Sequence, residues 1–165
     1  DFDYVDNLTF SDHAVQKGIA ALKSGCDIVT DTQMAKAGIN KTILASLGGE
    51  VHCFMSDPDV AQEARSRGVT RAFVSMEKAA ALEKPCIFAI GNAPTALLSL
   101  EQLMEEGKAA PALIIGVPVG FVNVEISEER IIEKARAPYI VARGRKGGSN
   151  VAAAICNALL YQIRR

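Results

Sequence analysis

Cys86-Ile-Phe-Ala-Ile-Gly-Asn-Ala-Pro-Thr95 compresses a strand, a sharp turn and the start of a helix into one short stretch. Its first half is apolar, β-rich and unbroken, the pattern of a strand buried on both faces of a sheet. Gly91 permits the turn, Asn92 or Ala93 can cap, and Pro94 fits a first helical position, where its missing N–H is not needed. Exposed N–H groups at such a helix start, aided by the helix dipole, suit a carboxylate or a phosphate. A strand-to-helix turn that binds no ligand has the same sequence pattern.

Outward from this stretch the same alternation recurs. Strands are expected at Cys26-Asp-Ile-Val-Thr-Asp31, Val51-His-Cys-Phe-Met55, Ala72-Phe-Val-Ser-Met76, Ala112-Leu-Ile-Ile-Gly-Val-Pro-Val119 and Tyr139-Ile-Val-Ala142. Helices fill the intervals. One is capped by Ser11 and runs to about Lys23, and another starts at Asp57-Pro58 and stops at Gly68. Pro94 opens a third, with Ala96, Leu97, Leu100, Leu103 and Met104 on one face. Ser127 leads into a fourth, and Ser149 begins the last, which carries Val151, Ile155, Ala158, Leu159 and Ile163 on its core side. The alternation predicts a three-layer α/β/α fold with a mostly parallel, doubly wound sheet, formed as a single domain over residues 1–165.

Composition narrows the function. The chain has 165 residues, 49% of them apolar, which suffices for a sizeable core and argues against disorder. A net charge of −1 gives no global field toward nucleic acid or membranes. No apolar run reaches the roughly 18 residues of a membrane span, and no signal-peptide pattern is present. Cys26, Cys53, Cys86 and Cys156 are widely spaced in apolar contexts, as expected of buried thiols in a reducing cytoplasm. With two histidines and no clustered ligands, no metal site is expected.

In sheets of this kind ligands bind beyond the carboxyl ends of the strands. Four turns qualify: Thr30-Asp-Thr-Gln-Met34, Gly91-Asn-Ala-Pro-Thr95, Gly116-Val-Pro-Val-Gly-Phe-Val122 and Arg143-Gly-Arg-Lys-Gly-Gly-Ser149. The last offers three cations and backbone that a ligand can approach closely. It fits neither a Walker A nor a Rossmann pattern, so it is either a solvated charged loop or a site for an anion that is not a nucleotide. The apolar turn at Gly116–Val122 can wall a large flat ligand or lie beneath neighbouring helices or a partner chain. His52 reads as a satisfied core histidine, and His13 falls in the first turn of a surface helix.

The three motifs Gly91-Asn-Ala-Pro-Thr-Ala-Leu97, Gly116–Val122 and Arg143–Ser149, in this order and before an Ala-rich last helix, closely resemble the precorrin-8X methylmutase family. Asp31-x-x-Met34 before Ala37-Gly-Ile39, Asp57-Pro58 and Gly68-Val-Thr-Arg71 fit as well. The resemblance extends over essentially the whole chain. It implies a 1,5-sigmatropic shift of a methyl group from C-11 to C-12 of a tetrapyrrole, giving hydrogenobyrinic or cobyrinic acid without cofactor or ATP. It also implies a homodimer with sites near the subunit interface. By motif position Arg71 matches a substrate-contacting arginine, with Thr70 beside it. Together with the polar positions of the turns, this makes Asp31, Thr70, Arg71, Asn92, Thr95, Arg143, Arg145 and Ser149 the expected substrate contacts.

The family's acid–base histidine belongs to an N-terminal segment, ahead of the stretch that Asp1-Phe-Asp-Tyr4 matches. The catalytic group is therefore expected upstream of Asp1, and the 165-residue chain alone is expected to be impaired. His13 and His52 match neither position. The alternatives are a tetrapyrrole-binding protein without turnover and an unrelated α/β enzyme for phosphorylated metabolites.

Overall fold

A computed structural model describes residues 7–164, so the match at Asp1–Tyr4 lies outside the described residues. Among the described residues six strands form one sheet: β1 (Leu8–Phe10), β2 (Asp27–Thr30), β3 (Val51–His52), β4 (Cys86–Ile90), β5 (Leu113–Gly116) and β6 (Tyr139–Ala142). Their spatial order is β1-β6-β5-β4-β2-β3, all parallel except the antiparallel edge strand β1. The helices are α1 (Ala14–Lys23), α2 (Gln33–Gly38), α3 (Lys41–Ser46), α4 (Pro58–Arg67), α5 (Arg71–Ala80), α6 (Pro94–Glu105), α7 (Val124–Lys134) and α8 (Ser149–Ile163).

Every residue of β2, β4 and β5 is buried, which is why β4 and β5 read as unbroken apolar runs, while β2 sets Ile28-Val29 between the buried polar Asp27 and Thr30. Successive side chains feed opposite faces. Ile28, Ile87, Ala89, Leu113 and Ile115 pack under α1, α2, α3 and α8. Val29, Phe88, Ile90 and Ile114 pack under α5, α6 and α7. The three-layer, doubly wound expectation is met. Among the described residues no helix is long and apolar enough to cross a membrane. All four cysteines are free and buried, and burial pushes the Cys26 and Cys156 thiols up to about 12.

Local departures from the sequence reading have local causes. Ala72–Met76 is helical, not a strand: the Thr70 hydroxyl accepts the Phe73 N–H (3.1 Å) and starts α5, whose Ala72, Met76 and Ala79 face the core. Helix α1 begins at Ala14, after His13 in the left-handed region (φ 55°). Ser11 accepts the Tyr139 N–H instead (2.7 Å) and ties β1 to β6. Ser127 lies within α7, which starts at Val124. The strand at Val51 ends at His52. Three short elements gave no periodic signal: β1, α2 and α3. The caps of the last two, Thr32 and Asn40, accept the Ala35 and Ile43 N–H groups at 3.0 Å each.

Candidate functional site

The chain leaves β2 for β3 on one side of the sheet and β4 for β5 on the other, with α2 and α6 on opposite faces. The gap beyond β2 and β4 is therefore the topological switch point, where open α/β sheets bind ligands. All four turns singled out by the sequence meet there. Thr32 Oγ1 and Ser149 Oγ are 2.7 Å apart, joining the turn after β2 to the start of α8. The Gly148 N–H donates to the Val117 carbonyl (2.9 Å) and the Val119 N–H to the Asn92 carbonyl (3.4 Å), joining the turns after β5, β6 and β4. The turns at Gly91 and Gly148 approach so closely that a Cβ on Gly91 would lie 2.6 Å from the Gly148 carbonyl oxygen. Only glycine fits there.

One expectation is corrected. The N–H groups at the start of α6 are not vacant for a ligand. Asp31, 2% exposed, accepts the Gly91 N–H at 2.9 Å through one carboxylate oxygen, and the Asn92 and Ala93 N–H groups at 3.0 and 2.6 Å through the other. Asp31 was expected to contact substrate. Instead its carboxylate is the internal anion of this helix N-terminus, and it locks β2 to β4. Burial raises its pKa, against the pull of these three N–H groups.

The remaining expected contacts divide into two sets. Asn92 and Thr95 are exposed at the head of α6, and Ser149 is half-buried at the head of α8. Arg143 and Arg145 are exposed on the last turn and reach back to α7, with Arg143 Nε 3.2 Å from Glu129 and Arg145 Nε 3.5 Å from Glu125. Pairs this exposed are weak and can be exchanged for a ligand carboxylate. Arg145 also lies over the Phe121 ring, 5.6 Å from its centroid. Thr70 and Thr95, on neighbouring helices, line a groove of about 790 Å³ with Phe73, Leu98, Asn123, Ile126 and Arg130. Arg71, exposed beside Thr70, makes no ion pair with the described residues. Arg130 was not singled out because Ser127-Glu-Glu-Arg130 read only as a helix start, and Asn123 lies just beyond the Gly116–Val122 turn.

Both histidines lie away from this edge. His52 Nε2 is 2.9 Å from the buried Asp27, so it is indeed satisfied. Burial works against ionisation of Asp27, but hydrogen bonds from His52, the Glu50 amide and Lys84 outweigh it and hold the carboxyl below its ordinary range. Asp27, Glu50 and His52 are close enough to share a metal ion. The Lys84 cation, 3.3 Å from Asp27, competes for that position.

Comparison with known proteins agrees with the geometry. The precorrin-8X methylmutase family model (CbiC) matches residues 1–162. The cobalt-precorrin-8 methylmutase of Salmonella typhimurium is 47% identical over 165 residues, 99% of this chain and 76% of that protein. The precorrin-8X methylmutase of Pseudomonas aeruginosa is 40% identical over 158 residues, 95% of this chain and 76% of that protein. The crystal structure of precorrin-8X methylmutase from Thermus thermophilus superposes with a TM-score of 0.87 at 38% identity, over 98% of this chain and 77% of that one. The expected impairment of the chain on its own gains no support from these matches. A switch-point site built from four turns, on a chain matched over nearly its whole length, places the protein in the precorrin-8X methylmutase family.

Proposed function

We propose that the protein is the isomerase that moves a methyl group from C-11 to C-12 of precorrin-8X or cobalt-precorrin-8, a step of cobalamin biosynthesis. The observation that carries this reading is the convergence of an apolar turn, an arginine–glycine turn and two helix heads at one switch point. The substrate is a flat conjugated ring fringed with carboxylates. The apolar surface of Val119, Phe121 and Val122 suits the ring, while Arg71, Arg143 and Arg145 suit the acid side chains. Thr70, Asn92, Thr95 and Ser149 supply neutral hydrogen bonds along the same edge.

Phe121 and Val122 in the turn and Ile126 on the first turn of α7 are 81, 77 and 55% exposed, a run of apolar surface left open to water. This supports a homodimer with the site near its interface. Four unpaired buried thiols support a cytoplasmic location.

The test is to incubate the full-length protein with precorrin-8X and follow the absorbance change to hydrogenobyrinic acid. Turnover is expected, and Arg71→Ala should weaken product binding about ten- to a hundredfold, the usual worth of one arginine–carboxylate contact. Equal affinity in the two folded proteins would remove Arg71 from the site. Binding without turnover would favour a tetrapyrrole-binding role instead.

A further inference from the structure

Asp27 opens β2 at the amino edge of the sheet, opposite the edge that the four turns share. Val29 faces His52 across the parallel β2–β3 pair, so the His52 side chain falls on the face of β2 that carries Val29 and Asp27. There His52 Nε2 lies 2.9 Å from Asp27 Oδ2 and 3.7 Å from Glu50 Oε1, and all three donor atoms are within 4.8 Å of one another. A zinc ion bound tetrahedrally, at its usual bond lengths of about 2.0–2.1 Å, spaces its ligands about 3.4 Å apart. The two printed separations bracket that spacing. The donors are also held as ligands are held. The other Asp27 oxygen, Oδ1, accepts the Glu50 N–H at 3.0 Å and a bond from Lys84 Nζ at 3.3 Å, which leaves Oδ2 turned to the imidazole. His52 stacks on Phe54, with ring centroids 5.4 Å apart, and this fixes the plane of the ring. Partners behind the ligating atoms orient them in just this way at metal sites.

We propose that Asp27, Glu50 and His52 form a site for a divalent ion of the zinc type, which fastens the two-residue edge strand β3 to β2. The ligands are His52 Nε2, Asp27 Oδ2 and Glu50 Oε1, with water as the fourth. The ion takes the place of the proton between His52 Nε2 and Asp27 Oδ2. That proton goes to solvent from a charged imidazole, or is replaced by one on Nδ1 in a neutral ring. Lys84 competes for the charge of the carboxylate and not for the space, because its Nζ sits on Oδ1 and donates to the Gly48 carbonyl at 2.6 Å. Two carboxylates against one lysine leave a negative balance, which attracts a dication. Glu50 is exposed, so its side chain can close the last few tenths of an ångström onto the ion. The role is one of stability, since the cluster stands at the far edge of the sheet from the switch point. The sequence hides it because Asp27 and His52 are 25 residues apart and meet only through the β2–β3 pairing.

The experiment is a calorimetric titration of zinc chloride into the full-length protein, first freed of metal with a chelator, beside His52→Gln, Glu50→Gln and Lys84→Gln. One equivalent of zinc is expected to depend on His52, with its affinity falling at least tenfold in His52→Gln, the least that losing a direct ligand costs when loss of a supporting group already costs about ten- to a hundredfold. Glu50→Gln alters only an exposed side chain, so the fold is kept, and it should weaken the same equivalent. Lys84→Gln removes the like charge and should tighten it. Zinc at saturation should also raise the unfolding temperature of the parent and leave that of His52→Gln where it was, because only the folded parent holds the three donors together. Absence of zinc binding by the parent overturns the proposal. Binding that both His52→Gln and Glu50→Gln leave unchanged overturns it as well, by placing the zinc on other groups.

Discussion

Asp31→Ala is expected to destabilise the protein by on the order of 3–5 kcal/mol, through the loss of three charge-assisted hydrogen bonds. The side chain accepts the Gly91, Asn92 and Ala93 N–H groups at once, and it neutralises the positive end of α6 from inside the protein. Asn92 is exposed and its N–H can turn to water; the Gly91 N–H lies in the buried part of the turn and cannot. Asp31→Asn keeps one acceptor and should recover about half of the loss. In urea unfolding, the midpoint should fall with little change in slope, because the folded state changes and the surface exposed on unfolding does not. A loss below about 1 kcal/mol would mean that the carboxylate does not hold the two strand ends together.

The second large effect concerns pH. The folded-state pKa of Glu128, about 8, lies above its ordinary 4.5, so between these values the native protein holds a proton that the unfolded chain releases. The unfolded state therefore binds fewer protons there, and this group's contribution makes stability fall as pH rises from about 4.5 to about 8, then level off. Gln at this position cannot titrate. The stability difference between Glu128→Gln and the parent should thus shift in the variant's favour by on the order of 3 kcal/mol from pH 5 to pH 8. Thermal unfolding of both proteins at four or five pH values measures it. A difference that stays constant with pH would show that Glu128 ionises normally in the folded protein.

How far the sequence reveals these features depends on how local each one is. The buried strands were legible because β2, β4 and β5 face apolar layers on both sides and so carry no polar alternation. Pro94 at the head of α6, Gly68 after α4 and Ser149 at the head of α8 mark their boundaries through backbone chemistry that any context preserves. The stretch 72–76 failed for the opposite reason. Phe73 and Val74 suggest a strand, but five residues are too few to separate the two periods, and the deciding feature was the Thr70 cap two positions earlier. Strand β1 was invisible because three half-exposed residues gain their structure only from pairing with β6.

The site follows the same division. That four turns would converge was legible, since each follows a parallel strand in the same sense. Which of their polar atoms would be used up inside the protein was not. Asp31 and Gly91 lie 60 residues apart, and only the β2–β4 pairing brings them together. The same holds for Glu128 and the turn at Gly144: a glutamate in a charged run such as Ser127-Glu-Glu-Arg130 has the pattern of a solvated helix face, and burial at 0% exposure arises from packing alone.

The central claim is that the tetrapyrrole acid occupies the carboxyl edge of the sheet. Amide hydrogen–deuterium exchange of the full-length protein, with and without saturating hydrogenobyrinic acid, tests it most directly. Protection is expected at residues 91–95, 116–122 and 143–149 and around Thr70-Arg71, with little change around Lys84 and Glu50 at the opposite side. Protection centred on Asp27, Glu50 and Lys84, or no protection anywhere at a saturating concentration, would contradict the account.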